Sequence, residues 1–318
     1  MFDIVFLGTS AAAPSIYRGL SAQAILAGED RFLVDCGEGT QRQILRSGIG
    51  FKRLNRILLT HSHLDHILGL GGLVSTFTRW ESMDEISIWG GASALERVQA
   101  LLEGVVMAGN KSPIPIHLNV IEDAVTVHEG KNFDVRAFPV THRGRGCFGY
   151  IFEEHAHRPF LAEKADALGV PAGPERSQLV RGESITLNDG THITPDMILG
   201  DAIPGVKVCI TGDIGRTDNI REYVADADVL ITEGTFLDSE RDEARSFGHI
   251  TVKQAGELAH EVNVKHLLLT HVSRRYREYD IIKEAQDTFT DSRVVRDLEH
   301  FRIRRGQALE QVTEQSEE

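Results

Sequence analysis

The chain has 318 residues, 41% of them hydrophobic and 25% charged, with a formal net charge of −13; it is long enough for one large core or two modest ones. That acidity argues against broad, non-specific nucleic-acid binding, because phosphate attracts Lys and Arg, although it leaves room for a local basic patch. No apolar run nears the roughly 20 residues needed to span a bilayer, and the scattered Cys36, Cys147 and Cys209 form no CxxC pair, which points away from a disulfide framework and toward a reducing cytoplasm.

The opening MFDIVFLGTS reads as a buried strand entering a turn, without the basic start and long apolar stretch of a signal peptide. Strands are expected at Ile4–Leu7, Arg31–Asp35, Arg56–Thr60, Ser87–Trp89, Val135–Val140, Val206–Thr211, Val229–Thr232 and His266–Thr270. Helices are expected at Gly39–Ser47, Ala92–Leu102, Thr217–Val224, Val252–Val262 and Tyr279–Thr288. Residues 153–192, with three prolines and four glycines between strand-like regions, read as an inserted arm. The polar tail, 307–318, is expected to be flexible. There is no short-period repeat, but Arg56-Ile-Leu-Leu-Thr-His61 is echoed by His266-Leu-Leu-Leu-Thr-His271. Both are apolar strands ending in Thr-His, and in α/β sheets sites gather where strands end.

The strongest chemical signal is His61-Ser62-His63-Leu64-Asp65-His66, directly after the strand Arg56–Thr60. Alternate residues of an extended segment point the same way, so His61 and His63 can share one metal ion, while Asp65 and His66 turn toward a second. Four imidazole or carboxylate groups within six residues rarely serve structure alone. His142 after Val135–Val140, Asp213 after Val206–Thr211 and His271 after His266–Thr270 fit the same scheme. Each alone is weak; together they match what two zinc ions require, with Asp213 as the natural bridging carboxylate.

Gly144-Arg-Gly146-Cys-Phe-Gly149 matches GxGxxG literally, but a strand-like Tyr150-Ile-Phe-Glu153 follows where the dinucleotide motif needs a helix. It reads as a loop beside His142. No P-loop or GxSxG elbow occurs.

These residues resemble the metallo-β-lactamase superfamily, whose signature is His-x-His-x-Asp-His, and within it ribonuclease Z, which trims the 3′ end of precursor tRNA. The wider likeness lies in Phe6-Leu-Gly-Thr-Ser10, Asp35-Cys-Gly-Glu-Gly-Thr-Gln41, Gly248-His-Ile-Thr251, Thr270-His-Val-Ser-Arg-Arg-Tyr276 and, in the arm, Leu168-Gly-Val-Pro-Ala-Gly-Pro174. It covers about Phe2 to Ile303. The resemblance implies a four-layer αβ/βα sandwich of the α/β class over residues 1–306, a homodimer, and an arm at 153–192 that grips tRNA. It also implies two zinc ions per subunit: His61, His63 and His142 on one, Asp65, His66 and His271 on the other, Asp213 between them.

For the chemistry, Asp65 is expected to orient the nucleophile and accept its proton, and His249 to protonate the leaving 3′ oxygen or stabilise phosphate, with Glu233 orienting its ring. The resemblance implies products with a 3′-hydroxyl and a 5′-phosphate. Arg274, Arg275 and Arg277, and likewise Arg143 and Arg145, suit either a phosphate grip or a solvated basic turn. The loop Pro14-Ser-Ile-Tyr-Arg-Gly19 departs from the family's Pro-x-Lys-x-Arg-Asn, with Ile16 for Lys and Gly19 for Asn. The arm carries four Lys or Arg against seven Asp or Glu, an odd phosphate grip, so its contacts are expected to rely on backbone and shape near Gly173-Pro174. These departures leave two alternatives: a metallo-hydrolase of small phosphodiesters or sulfate esters, and a non-catalytic RNA-binding relative.

Overall fold

The computed structural model describes residues 1–79 and 83–312. Six strands open the chain: β1 (Phe2–Gly8), β2 (Ala22–Ala27), β3 (Asp30–Val34), β4 (Arg56–Leu58), β5 (Ile86–Gly90) and β6 (Ile116–Val120). Then follow β7 (Val125–Glu129), β8 (Phe133–Pro139), β9 (Phe148–Glu154), the short β10 (Ile185–Thr186) and β11 (His192–Ile193), β12 (Lys207–Ile210), β13 (Val229–Glu233), β14 (His266–Thr270), β15 (Ser292–Val294), β16 (His300–Ile303) and β17 (Glu310–Gln311). An eight-stranded sheet has the order β17-β16-β1-β2-β3-β4-β5-β6, and a seven-stranded sheet the order β15-β14-β13-β12-β9-β8-β7.

Alternation along the strands divides the apolar residues between faces. Phe2, Ile4, Phe6 and Phe32 of the first sheet meet Phe133, Tyr150, Phe152, Val208 and Ile231 of the second in one buried core. The opposite face of the first sheet, with Val5, Leu7, Leu33 and Ile57, packs on Ile44 and on Leu70, Leu73, Val74 and Phe77 of helix Leu70–Arg79. The opposite face of the second sheet, with Cys209, Leu230 and Leu267, packs on helices Val252–Glu261 and Glu278–Thr288 through Leu258 and Ile281. Helix, sheet, sheet, helix is the expected four-layer sandwich.

Residues 154–205 form a separate compact unit. It holds helices Ala162–Ala167, Pro174–Val180 and Pro195–Ile198 and the β10–β11 hairpin, around its own core of Ala165, Val170, Leu179, Ile193 and Ile198. The unit closes at Gly205 rather than His192, because Ile198 and Leu199 join that core and His157 pairs with Ile203.

Other differences are local. Expected helix Thr217–Val224 forms only over Arg221–Val224, with Arg216 and Asp218 paired in the turn before it. In the expected tail, Leu309 is buried and β17 pairs with β16; residues 313–318 lie outside the described residues.

Candidate metal centre

The site is assembled from strand ends. Asp35 follows β3, His61 follows β4, His142 follows β8, Asp213 follows β12, Glu233 ends β13 and His271 follows β14. β3 and β4 are parallel, as are β12, β13 and β14, so their carboxyl ends deliver side chains to the same edge of each sheet. His63 precedes the one-turn helix Leu64–Ile67, which turns Asp65 and His66 back into the cluster.

All seven expected ligands come together. His61, His63, His142 and Asp213 form one group and Asp65, His66 and His271 another, the ligand atoms within each lying no more than 4.8 Å apart. Asp213 Oδ2 stands 3.7 Å from His61 Nε2, 3.5 Å from His66 Nε2, 3.9 Å from His142 Nε2 and 3.4 Å from His271 Nε2. It is therefore central to both groups. Asp65 Oδ2 lies 3.3 Å from His271 Nε2 and accepts the Ala12 amide at 3.0 Å.

Surrounding acceptors set the tautomers. His66 Nδ1–H donates to Asp35 Oδ2 at 2.8 Å, and Asp35 also accepts the Thr60 amide and hydroxyl. The Thr60 hydroxyl, its proton committed to Asp35, accepts from His61 Nδ1–H at 3.0 Å. His142 Nδ1–H donates to the Gly248 carbonyl at 2.7 Å. The Thr235 hydroxyl donates to the His271 carbonyl and accepts from His271 Nδ1–H at 2.9 Å. Each of these four Nδ1 atoms is occupied outside the cluster, so the Nε2 atoms of His61, His66, His142 and His271 face inward, as does His63 Nδ1, 2.9 Å from His61 Nε2.

Charge follows the same plan. Burial, then the neighbouring His66, drives His61 far toward its neutral form. Burial likewise lowers His63 and His142. For His66 burial opposes the charge, but the Asp213 and Asp35 carboxylates outweigh it and hold the ring protonated. For Asp213 burial is again overcome, here by His271 and His66, so the carboxylate stays ionised. A divalent cation would replace that proton. His66 Nε2 and Asp213 Oδ1 are buried without any hydrogen-bond partner, which is costly unless something else satisfies them. Imidazole nitrogens and carboxylate oxygens in this number suit zinc.

His249 lies beside the cluster, its ring 5.0 Å from that of His142 and 5.8 Å from that of His271. Its Nδ1 is 2.7 Å from Glu233 Oε2. Burial opposes its charge, yet Glu233 pushes its pKa up to about 9.

The basic residues divide. Arg274 and Arg277 are exposed; Arg275 pairs with Glu240 at 2.8 Å. Arg143 lies over the Phe247 ring and Arg145 is exposed. The Gly144–Gly149 segment runs as a loop into β9, and a Cβ on Gly91 would sit 2.0 Å from the Gly146 carbonyl. No helix opens there, as expected.

Sequence reading missed the partners that orient the ligands: Asp35, Thr60, Thr235 and the Gly248 carbonyl. The Asp35-Cys-Gly motif was visible, but not that Asp35 takes a left-handed φ of 58°.

Residues 2–156 match the family described as Anti-Pycsar protein Apyc1, and residues 180–272 match the Beta-lactamase superfamily domain. The chain is 44% identical to Ribonuclease Z of Bradyrhizobium diazoefficiens over 95% of its own length and 99% of the relative's. It is 36% identical to Ribonuclease Z of Gemmatimonas aurantiaca over 92% and 93%. Among solved structures, the short form of human tRNase Z superposes with a TM-score of 0.66 at 24% identity, covering 95% of this chain and 99% of that one.

Proposed function

The chain belongs to the ribonuclease Z family of the metallo-β-lactamase superfamily, and from that membership we propose a zinc-dependent endoribonuclease that removes the 3′ trailer of precursor tRNA and leaves a 3′-hydroxyl. The observation that carries the metal chemistry is the convergence of five imidazoles with the Asp65 and Asp213 carboxylates, among which Asp213 Oδ1 and His66 Nε2 are buried without a hydrogen-bond partner.

His61, His63 and His142 would hold one zinc ion, Asp65, His66 and His271 a second, with Asp213 shared. Bound zinc lowers the pKa of water toward neutrality and neutralises charge on phosphoryl oxygens. Asp65, fixed by the Ala12 amide, orients the attacking water and accepts its proton. His249, held protonated by Glu233, donates a proton to the leaving 3′ oxygen, and Glu233 fixes the ring through Nδ1 while Ile214 N–H holds the other carboxylate oxygen at 2.8 Å.

The same reading makes the compact unit of residues 154–205, in place of the expected 153–192, the tRNA-binding arm. Gly173-Pro174, where Gly173 starts helix Pro174–Val180 with a φ of 154°, supplies backbone rather than charge for that contact. It makes the protein a cytoplasmic homodimer. The exposed Leu45 and Leu64, on short helices, and Leu68 just after the second of them are apolar side chains an interface would cover. Among the described residues no helix is long and apolar enough to cross a membrane.

The test is cleavage of a 3′-extended precursor tRNA beside a chromogenic phosphodiester, with end analysis of the products. A cut beside the last nucleotide of the mature tRNA, leaving a 3′-hydroxyl, is expected. Turnover of the small ester without that cut would overturn the tRNA substrate.

A further inference from the structure

Phe247 ends helix Arg241–Phe247 with 44% of its surface exposed, two residues from His249. Its ring stacks on that of the buried Phe236, 6.3 Å between centroids and 10° between planes. The Arg143 guanidinium lies 5.8 Å over Phe247, and that of Arg275 5.7 Å over Phe236. The four flat groups thus lie close to one another beside the site, with Phe247 still partly open to solvent, and Phe236 is 5.7 Å from the His249 ring.

The two arginines differ. Glu240 compensates Arg275, whereas Arg143 makes no ion pair among the described residues. Gly248 makes room for it: the residue has a φ of 75°, and a Cβ there would come 2.6 Å from Arg143 Cγ. The Gly248 carbonyl also accepts the His142 proton, so the turn carrying Phe247 is tied to the metal centre itself.

A half-exposed aromatic ring paired with an uncompensated guanidinium matches the chemistry of a nucleobase and its phosphate, because both flat groups stack on bases and the cation meets the backbone. We propose that Phe247 and Arg143 form the platform for the base of the nucleotide whose 3′ oxygen leaves. The assignment to that nucleotide rests on the endoribonuclease reading above: His249 serves the leaving oxygen, and a single ribose separates that oxygen from its own base. Phe247 and Arg143 position the substrate and take no part in the bond changes. Stacking tolerates any base and favours none by hydrogen bonding, so the platform sets the place of the cut rather than its sequence.

The experiment uses metal-loaded enzyme and precursor RNA carrying either the normal base or an abasic site at that nucleotide. Base–aromatic stacking predicts a loss in kcat/KM of about 5- to 150-fold for Phe247→Ala on the normal RNA, a similar loss for wild-type enzyme on the abasic RNA, and no further loss when the two are combined. Phe247→Tyr should retain cleavage, which separates stacking from folding. In parallel, 2-aminopurine at that position in an uncleavable 3′-methylene phosphonate analogue should be quenched by wild-type and Phe247→Tyr proteins but not by Phe247→Ala. Multiplying losses, or quenching by Phe247→Ala equal to wild type, would overturn the platform. Quenching by a wild-type enzyme that never cuts the precursor would support the platform and overturn the activity instead.

Discussion

His249 Nδ1 lies 2.7 Å from Glu233 Oε2, a carboxylate whose side chain has no solvent exposure. A buried carboxylate that donates no proton itself must be matched by a cation or by donors, and here the imidazolium and the Ile214 amide share it. The carboxylate thus both orients the ring and holds its proton.

Glu233→Gln keeps the shape and removes the charge. The His249 pKa should fall, since Glu233 is what raises it, and the protonated form should be lost at lower pH. The alkaline limb of the kcat profile is expected to move down, with kcat reduced about 10²-fold or more and KM little changed. An unmoved alkaline limb would remove His249 from the role of proton donor.

Asp35 serves His66 as Glu233 serves His249. Asp35→Asn is informative because Asn tolerates the left-handed backbone that Asp35 adopts, so the turn survives while the carboxylate is lost. The replacement still accepts a proton but no longer strengthens His66 as a donor. Removing such a partner weakens metal binding by about 10- to 100-fold. Competition with a chromophoric chelator measures it; affinity equal to wild type would show that Asp35 only shapes the turn.

How much of this could be read in advance depends on where each signal resides. The candidate ligands were legible because metal chemistry demands particular side chains, and His61 through His66 are adjacent in sequence. His142, Asp213 and His271 were legible because each ends an apolar run. Asp35, Thr60 and Thr235 were not, because a carboxylate or threonine at a strand end is common and its partner is chosen only by folding. Among elements, β13 and β14 read clearly as β-branched or leucine runs, whereas β2 is the alanine-rich AQAILA and helix Leu70–Arg79 begins with two glycines inside its first turn. Both are held by burial between neighbours rather than by local propensity. The arm was legible as an insertion but its helices were not, because they are only four to seven residues long and rely on the small core of Val170, Leu179 and Ile198.

Metal removal should act on both activity and stability. Chelation would leave Asp213 Oδ1 without a partner, and a ligand that binds only the folded state stabilises it by mass action. The metal-free protein should be inactive and melt at lower temperature, and zinc should restore both. Atomic emission analysis is expected to find two ions per chain, falling in Asp213→Ala. A fully active protein with one ion per chain would refute the shared-carboxylate arrangement.

The last relationship concerns the loop that reaches Asp65. Arg18 donates to Glu278 Oε2 at 2.8 Å, to the Thr9 hydroxyl at 2.7 Å and to the Val295 carbonyl at 2.6 Å, while Arg296 grips the same Glu278. This anchors the segment whose Ala12 amide holds Asp65. Burial opposes the Glu278 charge, but hydrogen bonds and charge from Arg296, then Arg18, hold its pKa below the ordinary value. A carboxylate with a lowered folded pKa contributes stability above its unfolded pKa, near 4.5, and loses it as pH falls through the folded value. Glu278→Gln should therefore be less stable than wild type at pH 7, by about 1 kcal/mol or less because the pair is partly exposed and screened. The difference should shrink as pH falls below 4.5, as read by denaturant unfolding at several pH values. A gap that persists undiminished in acid would mean that Glu278 contributes through packing rather than charge.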